Sequence, residues 1–113
     1  MIQSEKLITI QSLKDNWDGN GAKAFPPQLI NKVSDILENL SVQPEVFPTA
    51  CGTIQLEFEN SLNEHMEIEI GESDLAEMFI VKKNGEESSE TIEITPNEIN
   101  NRVETFYNGM IRG

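Results

Sequence analysis

The feature that most constrains the fold is a change in the spacing of apolar residues near the middle of the chain. Two segments, 54–59 and 65–70, alternate strictly between an apolar side chain and a glutamine, histidine or glutamate. A period of two places each kind of side chain on its own side of a β-strand. Before and after this region, apolar residues recur at spacings of three and four, which is typical of amphipathic helices. The chain is therefore expected to combine helices with a sheet that has one apolar and one acidic face.

Two further strands are predicted after these segments. The first covers about 76–82, where Met78-Phe79-Ile80-Val81 is apolar on both faces, as expected for a strand inside the sheet or covered on both sides. Asn84-Gly85 is typical of a two-residue β-hairpin and leads into a strand at 91–94. Because the loops around Asn60–Asn63 and Gly71–Asp74 are short, these strands are expected to form an antiparallel meander.

Three helices are predicted from start signals and apolar stripes. The first begins after Ser4 and ends at Asp18-Gly19-Asn20-Gly21, and the second begins at Pro26-Pro27. The third begins at Thr95-Pro96-Asn97-Glu98, which is a capping box in which Glu98 reaches back to the start of the helix. The three stripes are Leu7, Ile10, Leu13 and Trp17; Leu29, Val33, Ile36 and Leu40; and Ile99, Val103, Phe106 and Met110.

Residues 41–52 are expected to be an extended connection, because Pro44 and Pro48 disfavour helix. The sequence thus predicts a single α+β domain over residues 1–113, with the order α-α-β-β-β-β-α. Helices would cover the apolar face of the four-stranded meander. The opposite face would carry His65 with Glu57, Glu59, Glu67, Glu69, Glu77 and Glu93. Like charges on neighbouring strands cost about 0.2–1 kcal/mol per pair, so this face has an energetic cost.

The charge of the chain excludes several classes of partner. The formal net charge is -12, and residues 53–95 alone contain 12 acidic and 2 basic residues. Binding to nucleic acid or anionic lipid requires basic residues, so neither is expected as a direct partner. No apolar run approaches the ~20 residues that span a bilayer, and the first residues lack the features of a secretory signal. We therefore expect a cytoplasmic protein.

Two segments carry a resemblance to a known family. Trp17–Ala22 reads W-D-G-x-G-A, and Gly52–Phe58 reads G-x-I-x-L-E-(F or W) after a proline-containing stretch. Over roughly residues 10–82 the chain resembles an uncharacterised family of small bacterial proteins. The resemblance implies no activity, substrate or catalytic residue. From the residues themselves, Trp17 and Asp18 either anchor a turn between two helices or form contacts on a binding surface.

Enzyme chemistry and cofactor binding are not expected. His65 is the only histidine, and no G-x-S-x-G segment accompanies it. Gly19–Ala24 matches a dinucleotide-binding pattern but follows a helix and not a strand. Glutamates on a flat, solvated face lack the pocket that would shift their pKa values apart, so no catalytic residue, cofactor or metal site is predicted. A weak divalent-cation site at Glu57, Glu67 and Glu69 stays open as an alternative.

The sequence favours an acidic interaction module that binds a basic protein partner, in an antitoxin-like, immunity-like or inhibitor-like role. The predicted contact residues are Trp17, Asp18, Glu57, Glu59, Glu67, Glu69 and Glu93. Two alternatives are a small-ligand- or divalent-cation-binding protein, and an acidic face that only keeps the protein soluble. A third is an enzyme, which would need a deep pocket that holds His65 or several carboxylates with shifted pKa values. The chain is expected to be a monomer or a weak homodimer, the latter through Tyr107, Met110 and Ile111.

Overall fold

The computed structural model describes residues 4–111, and the side chains of residues 4–107. Within these residues, three helices accompany one antiparallel sheet of five strands in the order β1-β2-β3-β4-β5. The elements are α1 (Glu5–Gln11), α2 (Pro27–Glu38), β1 (Glu45–Pro48), β2 (Ile54–Glu59), β3 (His65–Ile70), β4 (Leu75–Val81), β5 (Glu87–Glu93) and α3 (Pro96–Ile111). The α+β class and the antiparallel meander are confirmed. The predicted number of four strands is wrong, since the order is α-α-β-β-β-β-β-α.

The additional strand is β1, which lies in the segment expected to be a connection. It pairs antiparallel with β2, so that Val46 lies opposite Leu56 and Pro48 opposite Ile54. Proline cannot donate a ladder hydrogen bond, but β1 is an edge strand and Pro48 is its last residue, where proline is tolerated. Four residues are also too few for the alternation of apolar and polar positions to stand out in the sequence.

Helix α1 is shorter than predicted. It ends at Gln11, so Leu13 and Trp17 lie beyond it, although both still pack against the core. The Ser12 hydroxyl donates to the Thr9 carbonyl at 2.7 Å, and Asn16 has a positive φ of 66°. Serine and asparagine side chains that bond to the local backbone compete with helix, and a left-handed residue ends it. Spacing alone did not reveal this stop.

The other two helices begin where the sequence predicts. Pro26 precedes α2 and Pro27 is its first residue, while Leu40 lies beyond the end of the helix but is buried. At the start of α3, the Glu98 N–H donates to the Thr95 hydroxyl at 3.1 Å. The other half of the capping box is not formed, because the Glu98 carboxylate instead accepts from Arg102 Nε at 2.9 Å. The predicted core role of the Met110 side chain, like the contacts expected of Ile111, lies outside the described side chains.

The hairpin between β4 and β5 also differs from the prediction. Lys82 N–H donates to the Glu86 carbonyl at 2.8 Å, which leaves three residues in the loop and not two. Gly85 ends this loop with a φ of 90°, a conformation that favours glycine. A three-residue loop whose last residue is left-handed is the next most common hairpin type.

The core lies between the helices and one side of the sheet. Even-numbered residues of the central strands are buried against the apolar stripes of the helices. The largest buried side chains include Leu7, Leu29, Ile36, Leu56, Phe58, Ile68 and Ile99. Lys32 of α2 ties the helices to the sheet, because its Nζ donates to the carbonyls of Gly71 and Ser73 at 2.9 Å each. The apolar stripes of the helices thus pack on one side of the sheet, while Lys6 of α1 reaches Phe47 at the edge strand, with Nζ 5.1 Å from the ring centroid.

Candidate functional site

The outer face is the side of the sheet opposite the helices, and it consists of the odd-numbered residues of the five strands. These residues share one side because each pair in register joins two odd-numbered or two even-numbered residues. Eight of them are glutamates, namely Glu45, Glu57, Glu59, Glu67, Glu69, Glu77, Glu87 and Glu93. All five glutamates predicted as contact residues lie on this face.

Several of these glutamates are direct neighbours across strands. Glu45 lies opposite Glu57, which in turn lies opposite Glu67, so one row of carboxylates crosses three strands. In the next row, Glu69 lies opposite Glu77. Like charges in such positions destabilise a sheet by about 0.2–1 kcal/mol per pair. The arrangement therefore opposes folding and is not needed for it.

Little positive charge compensates the outer face. None of the five strands contains a lysine or an arginine. Arg102 binds Glu90 with two hydrogen bonds of 2.8 and 2.9 Å, but Glu90 is an even-numbered residue on the helix side. Among residues 4–111, the only ion pairs found on the outer face are those of His65. Most carboxylates of the face thus form no ion pair with a lysine or arginine among the described side chains.

His65 lies at the centre of the densest group of carboxylates. Its Nε2 is 2.9 Å from Glu67 Oε1, and its Nδ1 is 3.7 Å from Glu59 Oε1. Glu57, on the neighbouring strand, completes a group in which one ligand atom each of Glu57, His65 and Glu67 lie within 4.8 Å of one another. All three side chains are half-buried. This group contains both nitrogen and oxygen donors.

Hydroxyl and amide groups hold other carboxylates of the face. Gln55 Nε2 donates to Glu57 Oε2 at 2.8 Å, and the Thr53 hydroxyl donates to Glu69 Oε2 at 2.8 Å. Of the residues considered for a cation site, Glu57 and Glu67 therefore converge with His65, whereas Glu69 is engaged by Thr53. Periodicity placed His65 on this face, but only the strand register shows that it joins the group.

A small apolar surface lies beside the carboxylates. Phe79 and Val81 of β4 are half-buried on the outer face, and Leu75 at the other end of the strand is 52% exposed. Phe79 lies opposite Glu67 on one side and Ser89 on the other. β4 is apolar on both faces because Phe79 and Val81 are partly buried on the outer face as well. It is an interior strand of the sheet, as predicted.

Two glutamates of the outer face were missed by sequence reasoning. Glu45 was missed because β1 was not predicted, and Glu87 because the last strand was expected to begin at residue 91. Glu45 also lines a cleft of about 370 Å³, together with Gln43, Pro44, Glu57, Phe58, Glu59 and Tyr107. Residues 87–91 are all polar and exposed, so no alternation of apolar and polar residues signalled the longer last strand.

The Trp17–Asp18 turn lies in the segment that connects α1 and α2, and its residues belong to none of the strands. Trp17 Nε1 donates to the Lys23 carbonyl at 3.0 Å, and its ring lies 6.0 Å from that of Phe25. Asp18 Oδ1 accepts from the backbone N–H groups of Asn20 at 2.8 Å and Ala22 at 3.0 Å. These contacts favour the anchoring role of the turn over a direct binding role.

The hydrogen bonds from Asn20 and then Ala22 lower the pKa of the Asp18 carboxyl below its ordinary value. A carboxylate whose pKa is lower in the folded state stabilises the fold at pH values above its unfolded-state pKa. This stabilisation is lost as the pH falls through the folded-state pKa. We therefore expect Asp18→Asn to be less stable than wild type at pH 6. The difference should shrink below about pH 4, where the unfolded aspartate becomes protonated, and disappear as the pH falls through the lower folded-state pKa. Urea unfolding of both proteins at pH 6 and at about pH 3 tests this prediction. A difference in the free energy of unfolding that is the same at the two pH values would contradict it.

None of the helices in the described part of the chain has the length and apolar content needed to cross a bilayer. Comparison of the chain with protein-family models, with curated proteins and with solved structures gave no match. The resemblance carried by the W-D-G-x-G-A and G-x-I-x-L-E-(F or W) segments stays a prediction. The candidate site is defined by its own geometry: an acidic sheet face opposite the helices.

Proposed function

We propose that the protein is an acidic interaction module whose outer face binds a basic protein partner. The observation that carries this proposal is the presence of eight outer-face glutamates on strands that contain no lysine or arginine. A surface of one sign raises the local concentration of partners of the opposite sign and accelerates their association. The partner is therefore a protein with a lysine- or arginine-rich surface.

The energetic cost of the outer face supports a binding role over a purely solubilising one. Solubility needs net charge, which can be distributed over the surface, whereas here carboxylates lie directly opposite one another in the row Glu45, Glu57 and Glu67. A locally unfavourable arrangement without compensation within the fold is typical of functional surfaces. A basic partner would supply the missing compensation.

The apolar side chains on the same face add to the proposal. Phe79 and Val81 lie among the carboxylates and are half-buried, so a partner that covers them would bury apolar area within a charged rim. Charge alone gives fast but weakly selective association, and a central apolar contact adds affinity. An antitoxin-like, immunity-like or inhibitor-like role suits such a surface, because carboxylates can occupy a basic site that otherwise binds nucleic acid.

Affinity capture tests this proposal. The tagged protein would be incubated with lysate of the source cells at ~50 and ~300 mM salt, with a chelator present, and retained proteins would be identified by mass spectrometry. The Debye length falls from roughly 14 Å to under 6 Å between these conditions, which weakens charge-driven contacts. We expect a basic protein that is retained at the lower salt and largely lost at the higher one.

Matched variants locate the contact. The face variant replaces Glu57, Glu67 and Glu69 by glutamine, and the control variant does the same at Glu5, Glu38 and Glu104, which are exposed on the helices. Both lose three negative charges. We expect the face variant to bind the purified partner at least about tenfold more weakly at 50 mM salt, and the control variant to change by less than about threefold. Equal losses in the two variants, or no retained partner, would contradict the proposal.

A further inference from the structure

The group formed by Glu57, His65 and Glu67 has the composition of a metal site as well as the geometry. Ligand atoms of the three side chains lie within 4.8 Å of one another. Metal–ligand distances of 2.0–2.2 Å place neighbouring ligand atoms about 3–3.6 Å apart around a tetrahedral ion, so small side-chain rotations suffice. Carboxylate clusters are common on surfaces, but the histidine adds a nitrogen donor to this one.

We propose that Glu57, His65 and Glu67 bind one divalent transition-metal cation of the Zn²⁺ type. Imidazole nitrogen combined with carboxylate oxygen favours Zn²⁺, Co²⁺ or Ni²⁺ over Ca²⁺ and Mg²⁺, which prefer oxygen ligands alone. Three protein ligands leave a coordination position for water. This inference does not depend on the interaction proposal, since it concerns the purified chain alone.

The backbone holds the three ligands in a fixed relation. Glu57 and Glu67 are directly opposite each other on β2 and β3, and His65 is two residues from Glu67 on the same side of β3. Both strands are flanked by neighbours on each side within the sheet. A site on paired interior strands is positioned more accurately than one on a loop.

Groups outside the triad also orient it. Gln55 Nε2 binds Glu57 Oε2 at 2.8 Å and leaves the other carboxylate oxygen available for the cation. Glu59 Oε1 lies 3.7 Å from His65 Nδ1, on the opposite side of the imidazole from Glu67. At 3.7 Å these two atoms are not hydrogen-bonded, but a small rotation of the exposed Glu59 side chain would let it accept the Nδ1–H, as carboxylates commonly do for histidines that ligate metals. The cation would lie between His65 Nε2 and Glu67 Oε1, which are 2.9 Å apart without it.

The surroundings favour a bound cation in two ways. The side chains of His65 and Glu67 are only 26% and 33% exposed, so their interaction with a cation is less screened than that of freely exposed groups. No lysine or arginine on the five strands competes for the carboxylates. A cation would relieve the repulsion between the opposed Glu57 and Glu67.

Zinc titration of the chain without an affinity tag tests this inference. The single histidine gives one set of imidazole signals in a ¹H–¹⁵N spectrum, and we expect Zn²⁺ to shift the Nε2 signal with saturation at one equivalent. Isothermal titration calorimetry would give the dissociation constant. His65→Gln and Glu67→Gln are each expected to raise it by about tenfold or more.

Glu69→Gln is the matched control, because it removes one charge from the same strand without removing a ligand. We expect this variant to bind Zn²⁺ within about threefold of wild type. Circular dichroism of each variant would establish that it is folded. A loss in Glu69→Gln as large as in Glu67→Gln, an imidazole spectrum that Zn²⁺ leaves unchanged, or Ca²⁺ binding as tight as Zn²⁺ binding would each overturn the proposal.

Discussion

Replacement of Phe58 by alanine is expected to lower the free energy of unfolding by about 3–5 kcal/mol. Phe58 is 2% exposed on the helix side of β2 and packs against Tyr107 of α3, with ring centroids 6.4 Å apart. Removal of a buried aromatic ring costs its transfer free energy and leaves a cavity that the surroundings fill only in part. Urea unfolding followed by circular dichroism measures the effect.

Two further variants keep this prediction testable. Phe58→Leu retains most of the apolar volume and is expected to fold if the alanine variant does not. Phe79→Ala removes the same side chain from the outer face, where Phe79 is only half-buried, and should cost about 1 kcal/mol. A loss at Phe79 as large as that at Phe58 would mean that the outer face is covered in solution, against our assignment of the two faces.

Replacement of Asn60 by alanine is expected to cost about 2 kcal/mol, because this buried side chain organises the turn between β2 and β3. Its Oδ1 accepts from the N–H groups of Leu62 at 3.0 Å and Glu64 at 3.1 Å. Its Nδ2 donates to the Glu64 carboxylate at 3.0 Å. Alanine would leave these groups to water or without a partner.

Asn84→Ala provides the comparison, since Asn84 accepts one backbone hydrogen bond in an exposed turn. It should cost less than about 1 kcal/mol. The contrast matters for the site because the turn at Asn60 fixes the register that places Glu57 opposite Glu67. A slip by one residue would turn every glutamate of a strand to the helix side. Equal losses at Asn60 and Asn84 would contradict the organising role of Asn60.

Elements with a long, regular pattern were predictable from the sequence. The alternation at 54–59 and 65–70 predicted β2 and β3 with their observed bounds. Pro26-Pro27 predicted the start of α2, and Thr95 with Pro96 predicted that of α3. These signals are local, because the residues that specify each element lie within the segment that forms it. The shared face of the five predicted glutamates followed from the same alternation.

The remaining differences arise from contacts that a single segment does not contain. β1 is a strand because β2 offers it a free edge, and its four residues carry too little pattern to show this. α1 ends early because side chains such as Ser12 bond to the backbone, although the apolar spacing continues to Trp17. The convergence of His65 with Glu57 depends on strand register, which the spacing of residues within each strand does not specify.

Carboxyl footprinting of the complex tests most directly whether the partner binds to the outer face. The protein would be labelled at its carboxylates with a carbodiimide and an amine, free and bound to the captured partner, and each position quantified by mass spectrometry. We predict that the partner protects Glu57, Glu59, Glu67 and Glu69, while labelling of Glu38 and Glu104 on the helices is unchanged. Protection of the helix glutamates, with the outer-face glutamates labelled equally in both states, would contradict the account.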